Sequence, residues 1–550
     1  MITKISVLTA YFLVVLIIGY LTRTHWKSSP SSYFLADRSL GTVILLATMT
    51  ATNFSAFTVF GTSGAGYRDG YGFFPIMAFG TGFMALSFWV IGRKAWRIGC
   101  ERGIITPPEL VKSIYNSPAL GFLFALVMIT FTVPYLALQP MAAGYALQEL
   151  VGLPYFSGCV LVTAVIVLYT LHGGMRAVAW TDLFQGLLML IMLVAVLAVI
   201  AGHHGGIAAA NQQVMAMKPA LFSRPGGSGH YTLGIWFSYM ALWFLCDPMF
   251  PQLFQRFFAA KSEQAISRMM LLYPLVCTVV FLPPIAVGVM GHLSFPDLAG
   301  KQADLILPLV VNAVAGDFMA AMVTAGALAA LMSTMDSQLL TLSSIFTRDL
   351  LPVLWKPSTR TSIPGRIFVI GLSIAGLALA YRPPATMIEI ATETFTGLAV
   401  LFPTVLFGLY FKRVYSAPAI LSILSGETIL ILIHLKLIGP GPFLPVILVM
   451  LAAFGVYMVA HLLLRLKEGN LAIRLPVWLT NLYFLMLTGI FLSAMDFWAW
   501  GSVQPTIMGF PAWMAYFVLL SAAQMAVTAN LIRYESARTD RAKLHPPVSR

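Results

Sequence analysis

Two stretches of this sequence carry oxygen-bearing side chains where an apolar chain has little reason to hold them. Leu46–Thr58 contains Thr48, Thr50, Thr52, Asn53, Ser55 and Thr58, which populate every side of a helix, and Gly61, Gly64 and Gly66 follow. In Ala330–Ser344, Ser333, Asp336, Ser337 and Thr341 fall at i, i+3, i+4 and i+8, one continuous helical face flanked by Thr334. Hydrogen bonding between helices accounts for such residues in many membrane bundles. The alternative is cation coordination. A broken helix frees backbone carbonyls, and hydroxyls from a facing helix complete an oxygen shell. A neutral shell of this kind suits a monovalent ion that must also leave.

Acids inside apolar runs need a partner, a proton or water. Asp182 begins one such run. Asp247 lies in Phe244–Pro251, where two prolines interrupt the helix. Glu389 and Glu393 stand one turn apart, Glu427 is in the next run, and Asp496 is near a run's end. Glu389, Glu427 and Asp496 read as structural hydrogen-bonding groups. Asp182, Asp247 and Asp336 adjoin broken or hydroxyl-rich segments, where structural and functional roles are equally open.

The elements that must position these groups follow from composition. Of 550 residues, 59% are apolar and only 10% charged, and mean hydropathy is +0.86. A soluble protein carries about 25% charge, so a soluble enzyme, a disordered chain and a nucleic-acid-binding domain are excluded. The fold class is an all-α polytopic membrane protein. Fifteen apolar runs are predicted as spans: 4–22, 42–66, 73–96, 117–148, 154–172, 181–203, 231–255, 269–293, 317–346, 366–381, 385–411, 417–435, 442–464, 475–496 and 512–532. The first reads as a span, not a cleaved signal peptide.

On that reading Lys4, Arg68, Lys218, Arg224, Lys301, Arg382 and Lys436 share one side, and the remaining 26 of the 33 Lys and Arg residues share the other. The positive-inside rule then places the N-terminus outside and the C-terminus in the cytoplasm. The net charge of +13 becomes a property of the cytoplasmic face, with weak attraction to anionic lipid and no nucleic acid partner. The four cysteines show no metal spacing, and His203-His204 reads as a solvated loop. HExxH, GxxxxGK[ST] and GxSxG are absent. No enzyme, nucleotide site or ATP-driven pump is expected.

At five places the residues resemble the sodium/solute symporter family. These are Asp37–Gly41, Ala51–Ser55, the long loop signature Gly173–Gln185, Gln255–Lys261 after the seventh span, and Met332–Leu340. Arg382–Ile388 and Phe407–Arg413 bring the chain nearest to proline/pantothenate-type bacterial carriers. The resemblance implies a leucine-transporter-like core of two inverted five-helix repeats, spans 2–6 and 7–11, whose broken first helices would be the Asn53 and Asp247 regions. It divides the chain into residues 1–40 (first span and cytoplasmic loop), 41–411 (core), 412–532 (peripheral spans) and 533–550 (basic cytoplasmic tail). By the family's pattern, sodium would meet carbonyls of Ala51, Phe54 and Ala330 and hydroxyls of Ser333 and Thr334. A second sodium site, carried by some members, would match Ser55, Asp182, Asp336 and Ser337.

The function implied is sodium-coupled symport of a small organic solute across the plasma membrane, with a carboxylate or amino acid favoured. The solute would lie near the midplane, with Asn53, Thr58, Met77, Cys246, Asp247 and Glu393 as binding residues. Proline carriers of the family have an aspartate where Asn53 stands. Its sugar carriers place a glutamate near Met77, a span that here has no acid, which argues against a sugar. A proton-coupled carrier and a solute sensor of the same fold are the alternatives.

Overall fold

With no water to bond the backbone, a chain crossing a bilayer closes its hydrogen bonds within helices, and helices fill this structure. The computed structural model describes residues 1–22, 29–354, 363–469, 481–495 and 497–544. Apart from the two-residue strands Thr506–Ile507 and Phe510–Pro511, its regular elements are helical. Those that build the site are α1 (Ile2–Thr22), α2 (Thr42–Asn53), α3 (Pro118–Val151), α4 (Tyr155–His203), α5 (Leu233–Cys246), α6 (Pro251–Ala259), α7 (Glu263–Met290), α8 (Asp317–Ile345) and α9 (Met387–Ala399).

Polarity is inverted relative to a soluble protein. Leu13, Val43, Leu161, Ile191 and Leu451 are exposed, while Thr48, Thr52, Asp182, Arg256, Asp336 and Gln338 are fully buried. Apolar side chains face outward because lipid is the solvent, and polar ones gather where they can bond one another.

Among the described residues eleven helical segments are long and apolar enough to cross a membrane, and twelve if the bent pair Leu233–Met249 and Pro251–Ala259 is one span. This is fewer than the fifteen runs. Thr42–Asn53, Tyr155–Leu171 and Leu482–Ser493 are shorter apolar helices, and the 46-residue stretch Phe57–Arg102 takes in the end of one expected run and all of the next. Within that stretch the two runs still meet at a break: Gly70 (φ +80°) interrupts the helix, and a Cβ there would lie 2.0 Å from the Leu221 carbonyl oxygen, so only glycine fits. Gly174 (φ +65°) likewise breaks α4 against the Tyr33 carbonyl.

α8 is the buried axis, with every residue from Val323 to Ile345 buried, packed by α1, α2, α3, α4 and α6. The C-terminal helix Ala512–Leu544 also touches the core, where Gln524 Nε2 donates to the Gly82 carbonyl over 3.0 Å. Asp496 and the tail beyond Leu544 lie outside the described residues.

Candidate functional site

The hydroxyl-rich run breaks where the small residues allow it. α2 ends at Asn53, Phe54 adopts φ −88°, ψ 93°, and helix resumes at Phe57–Gly61. The break is chemically closed on both sides. Ser333 Oγ donates to the Ala51 carbonyl over 2.8 Å and Thr334 Oγ1 to the Thr52 carbonyl over 2.9 Å. The freed N–H groups are also met: Ala56 N–H by Gln139 Oε1 at 3.1 Å and Phe57 N–H by Ser55 Oγ at 3.2 Å. The two hydroxyls reach the Ala330 carbonyl as well, at 3.1 and 3.2 Å. Ala51, Ala330, Ser333 and Thr334, predicted as one oxygen cluster, are therefore together. The Phe54 carbonyl is not bonded to either hydroxyl, and the Thr52 carbonyl, not predicted, is. Each hydroxyl spends its one hydrogen on a carbonyl, and its oxygen lone pairs stay available to a cation.

The second break lies opposite. α5 ends at Cys246, Asp247–Met249 forms a tight turn, and α6 starts at Pro251 with a bend of 54°. Pro248 and Pro251 lack N–H groups and cannot continue the ladder. Asn53 Nδ2 donates to Asp247 Oδ2 at 3.1 Å and to Tyr273 Oη at 2.8 Å, so the two breaks meet through their side chains.

A space of about 20 Å³ lies at this junction, lined by Asn53, Phe54, Phe57, Thr58, Met77, Thr81, Tyr135, Trp243, Asp247, Phe250, Phe281 and Phe395. It has room for about one water, so the chain is closed around its centre. A cavity of about 1730 Å³ lies beyond it, lined among others by Arg68, Lys218, Tyr239, His292, Glu393, Glu427 and Lys436. Trp243, Phe57 and Phe395 line the small space and pack on one another. Their ring centroids are 5.8 Å (Phe57–Trp243), 5.6 Å (Trp243–Phe395) and 6.1 Å (Phe57–Phe395) apart. Tyr239, one turn from Trp243 and stacked on it, lines the outer cavity.

Of the residues expected to meet a solute, Asn53, Thr58, Met77 and Asp247 line the small space. Cys246 is buried but does not line it. Glu393 corrects the expectation: it is in the outer cavity, 57% exposed and paired with His434 at 2.7 Å. One turn earlier Glu389 closes a capping box with Thr386, the structural role expected of it.

The residues matched to a second sodium site separate. Ser55 Oγ accepts from Tyr135 Oη at 2.9 Å, away from the others. Asp182, Asp336 and Ser337 cluster, but around Arg256. Charge counting puts that residue in a cytoplasmic loop, but it lies on α6, and its side chain and that of its partner Asp182 on α4 are both 0% exposed. Sequence reasoning also missed Trp243, Phe395, Tyr135 and Tyr273. Aromatic and apolar residues at helical spacing carry no signal that separates a gate from a core.

Two helices interrupted side by side, their freed carbonyls facing hydroxyls, with a closed space between them and a wide vestibule beyond, define a carrier that admits cargo to a buried centre. Comparison places it more narrowly. The family described as "Sodium:solute symporter family" matches residues 33–426, and the chain belongs to that family. The sodium/pantothenate symporter of Escherichia coli (strain K12) is 28% identical over 433 residues, 77% of this chain and 89% of the relative. A sodium/proline symporter of Staphylococcus aureus (strain JH9) is 28% identical over 441 residues, 77% of this chain and 84% of the relative. Among solved structures, a Na+-coupled sialic acid symporter in its substrate-bound outward-open state aligns with TM-score 0.68 at 17% identity, over 83% of this chain and 97% of that one. A nucleobase-cation-symport-1 family transporter in a closed conformation aligns with TM-score 0.57 at 14% identity, over 80% and 96%. The protein is thus an all-helical multi-pass membrane symporter that couples a small organic solute to sodium.

Proposed function

We propose that the solute is an amino acid or a similar ammonium-bearing carboxylate, seated between Asn53, Thr58, Met77, Thr81, Trp243 and Asp247. The Asn53–Asp247 hydrogen bond carries this reading. Asp247 is 3% exposed, and among the described residues it has no ion-pair partner. A carboxylate placed so deep favours a solute that brings positive charge. The proline carriers hold their aspartate at the position of Asn53, and Asp247 sits one hydrogen bond away, so the same charge reaches the same space from the other broken helix. Sodium would bind the carbonyl oxygens of Ala51, Phe54 and Ala330 and the hydroxyl oxygens of Ser333 and Thr334, whose lone pairs can meet the ion.

The vestibule opens outward. Arg68, Lys218 and Lys436, which line it, are among the seven cations that the charge rule puts outside, so the N-terminus is outside and the C-terminus cytoplasmic. Counting the joined pair 42–53 and 57–69 as one span, 73–102 as another, and adding 155–171 and 482–493 gives fifteen spans, of which the second to eleventh form the two inverted repeats. The test is uptake of radiolabelled amino acids and of pantothenate into proteoliposomes, with and without an inward sodium gradient. Sodium-driven uptake of an amino acid supports the proposal. Uptake only of carboxylates lacking an amine, or driven only by a pH gradient, overturns it.

A further inference from the structure

Thr81 lines the small space with a hydroxyl that finds no partner among the described residues, although the residue is only 3% exposed. Its chain neighbour Gly82 is held from an unexpected direction. Gln524, in the C-terminal helix Ala512–Leu544, donates from Nε2 to the Gly82 carbonyl at 3.0 Å. Gln524 is 1% exposed, and its Oε1 is buried with no partner among the described residues. As packing alone this is a costly choice, because leucine or methionine would fill the position without burying an unbonded oxygen. What the amide supplies is its donor end.

The segment it holds has little rigidity of its own. Thr81–Ser87 is a short α-helical stretch between two turns wound to i→i+5 spacing, Ile76–Gly80 and Phe88–Gly92, and such wide turns are rare in helices. Met77, in the first of them, lines the same small space as Thr81. Gly82 also lets α7 come close, since a Cβ there would lie 3.0 Å from Pro274 Cα. The C-terminal helix grips the segment a second time through Phe517, whose ring centroid is 6.0 Å from that of Phe79. Its first turn is anchored in turn, where Trp513 Nε1 donates to the Phe222 carbonyl at 3.3 Å. This helix lies beyond the family match, which ends at residue 426. We infer that Gln524 is a positioning residue for the solute. Through the Gly82 carbonyl it fixes the turns that present Met77 and Thr81, so a helix outside the family-matched part of the chain sets one wall of the binding site.

The inference rests on the reading of the small space as the solute site, and its first test needs no solute. In a full chain stripped of its four cysteines, Met77→Cys, Thr81→Cys and Thr58→Cys are each labelled with a small methanethiosulfonate reagent, with and without Gln524→Met. That substitution removes the donor and the unbonded oxygen and keeps the length of the side chain. Labelling at Met77→Cys and Thr81→Cys should accelerate about 5-fold, the factor for one buried hydrogen bond, because local opening becomes easier. Thr58→Cys, which faces the same space from the other side of the first helix break, should keep its rate. No acceleration at the first two positions, or equal acceleration at all three, overturns the inference, the latter by showing a general loosening. If Gln524→Met does not fold, Phe517→Leu, which weakens the contact with Phe79, decides by the same pattern. Sodium-driven uptake of radiolabelled amino acids gives the second readout: Gln524→Met should raise KM about 5-fold at an unchanged maximal rate, and an unchanged KM overturns the inference. A wild type that takes up no amino acid overturns the solute reading instead, and the labelling rates then decide the role of Gln524.

Discussion

Asn53 and Asp247, 194 residues apart in the chain, share a 3.1 Å hydrogen bond across the gap between two interrupted helices. Each residue is where it is because its own helix fails there. Asn53 is the last residue of α2, and Asp247 follows the last residue of α5 ahead of two prolines. The bond couples the breaks; on the proposed reading, a solute that engages Asp247 would also act on the segment whose carbonyls face Ser333 and Thr334, linking solute to ion.

Asp247→Asn removes the charge and keeps the shape. The expected result is a loss of solute affinity of about 10-fold or more, corresponding to roughly 1.5–3 kcal/mol for a charged hydrogen bond. Sodium affinity measured without solute should change far less. Solute and sodium titrations by isothermal calorimetry separate the two, and an unchanged solute affinity would make Asp247 a structural acid.

Ser333→Ala and Thr334→Ala each delete one oxygen without altering charge. A contact of about 1–2 kcal/mol lost from the ion site weakens sodium affinity about 5- to 30-fold. Solute affinity at saturating sodium should shift less, since coupled sites exchange only their coupling energy. Reduced thermal stability with an unchanged sodium dependence of uptake would instead show that the hydroxyls only tie α8 to α2.

Trp243 lines the central space and stacks on Tyr239, which lines the vestibule, so Trp243→Ala should connect them. In a chain stripped of its four cysteines, Thr58→Cys should react slowly with a membrane-impermeant thiol reagent. Adding Trp243→Ala, which removes a large buried aromatic side chain, should speed labelling by about an order of magnitude. Equal labelling rates would mean that these rings do not close the path.

Asp304, in the short 3-10 helix Gly300–Leu305, accepts from Met387 N–H at 3.0 Å and from Arg68 at 3.1 Å. Burial raises its carboxyl above the usual aspartate range, an effect that Arg68 only partly offsets. With the folded value above the unfolded one, its contribution to stability is full at low pH and is lost as pH rises through the folded value. Wild type should therefore lose melting temperature over that interval relative to Asp304→Asn, which has no proton to release. Parallel melting curves for the two proteins across mildly acidic to neutral pH would remove Asp304 as the cause.

Composition alone determined that the chain is a membrane protein, because 59% apolar and 10% charged residues cannot be solvated by water. Local chemistry marked the second helix break, because prolines flanking Asp247 interrupt a helix whatever surrounds them. At Leu46–Thr58 hydroxyls on every side allowed either enclosure by neighbours or a break, and the family resemblance chose the break. Helical spacing made a polar face of Ser333, Asp336, Ser337 and Thr341 legible, with Thr334 beside it, and the family resemblance singled out Ser333 and Thr334 within it. What tertiary structure decided is which of those groups meet. Ser55 turned to Tyr135 and left the acid cluster. Glu393 faced the vestibule, because its partner His434 lies 41 residues further on. Arg256, which by charge counting belonged in a solvated loop, was drawn to full burial by Asp182, 74 residues earlier. The energy of a buried ion pair belongs to two positions at once, and no stretch of sequence contains both.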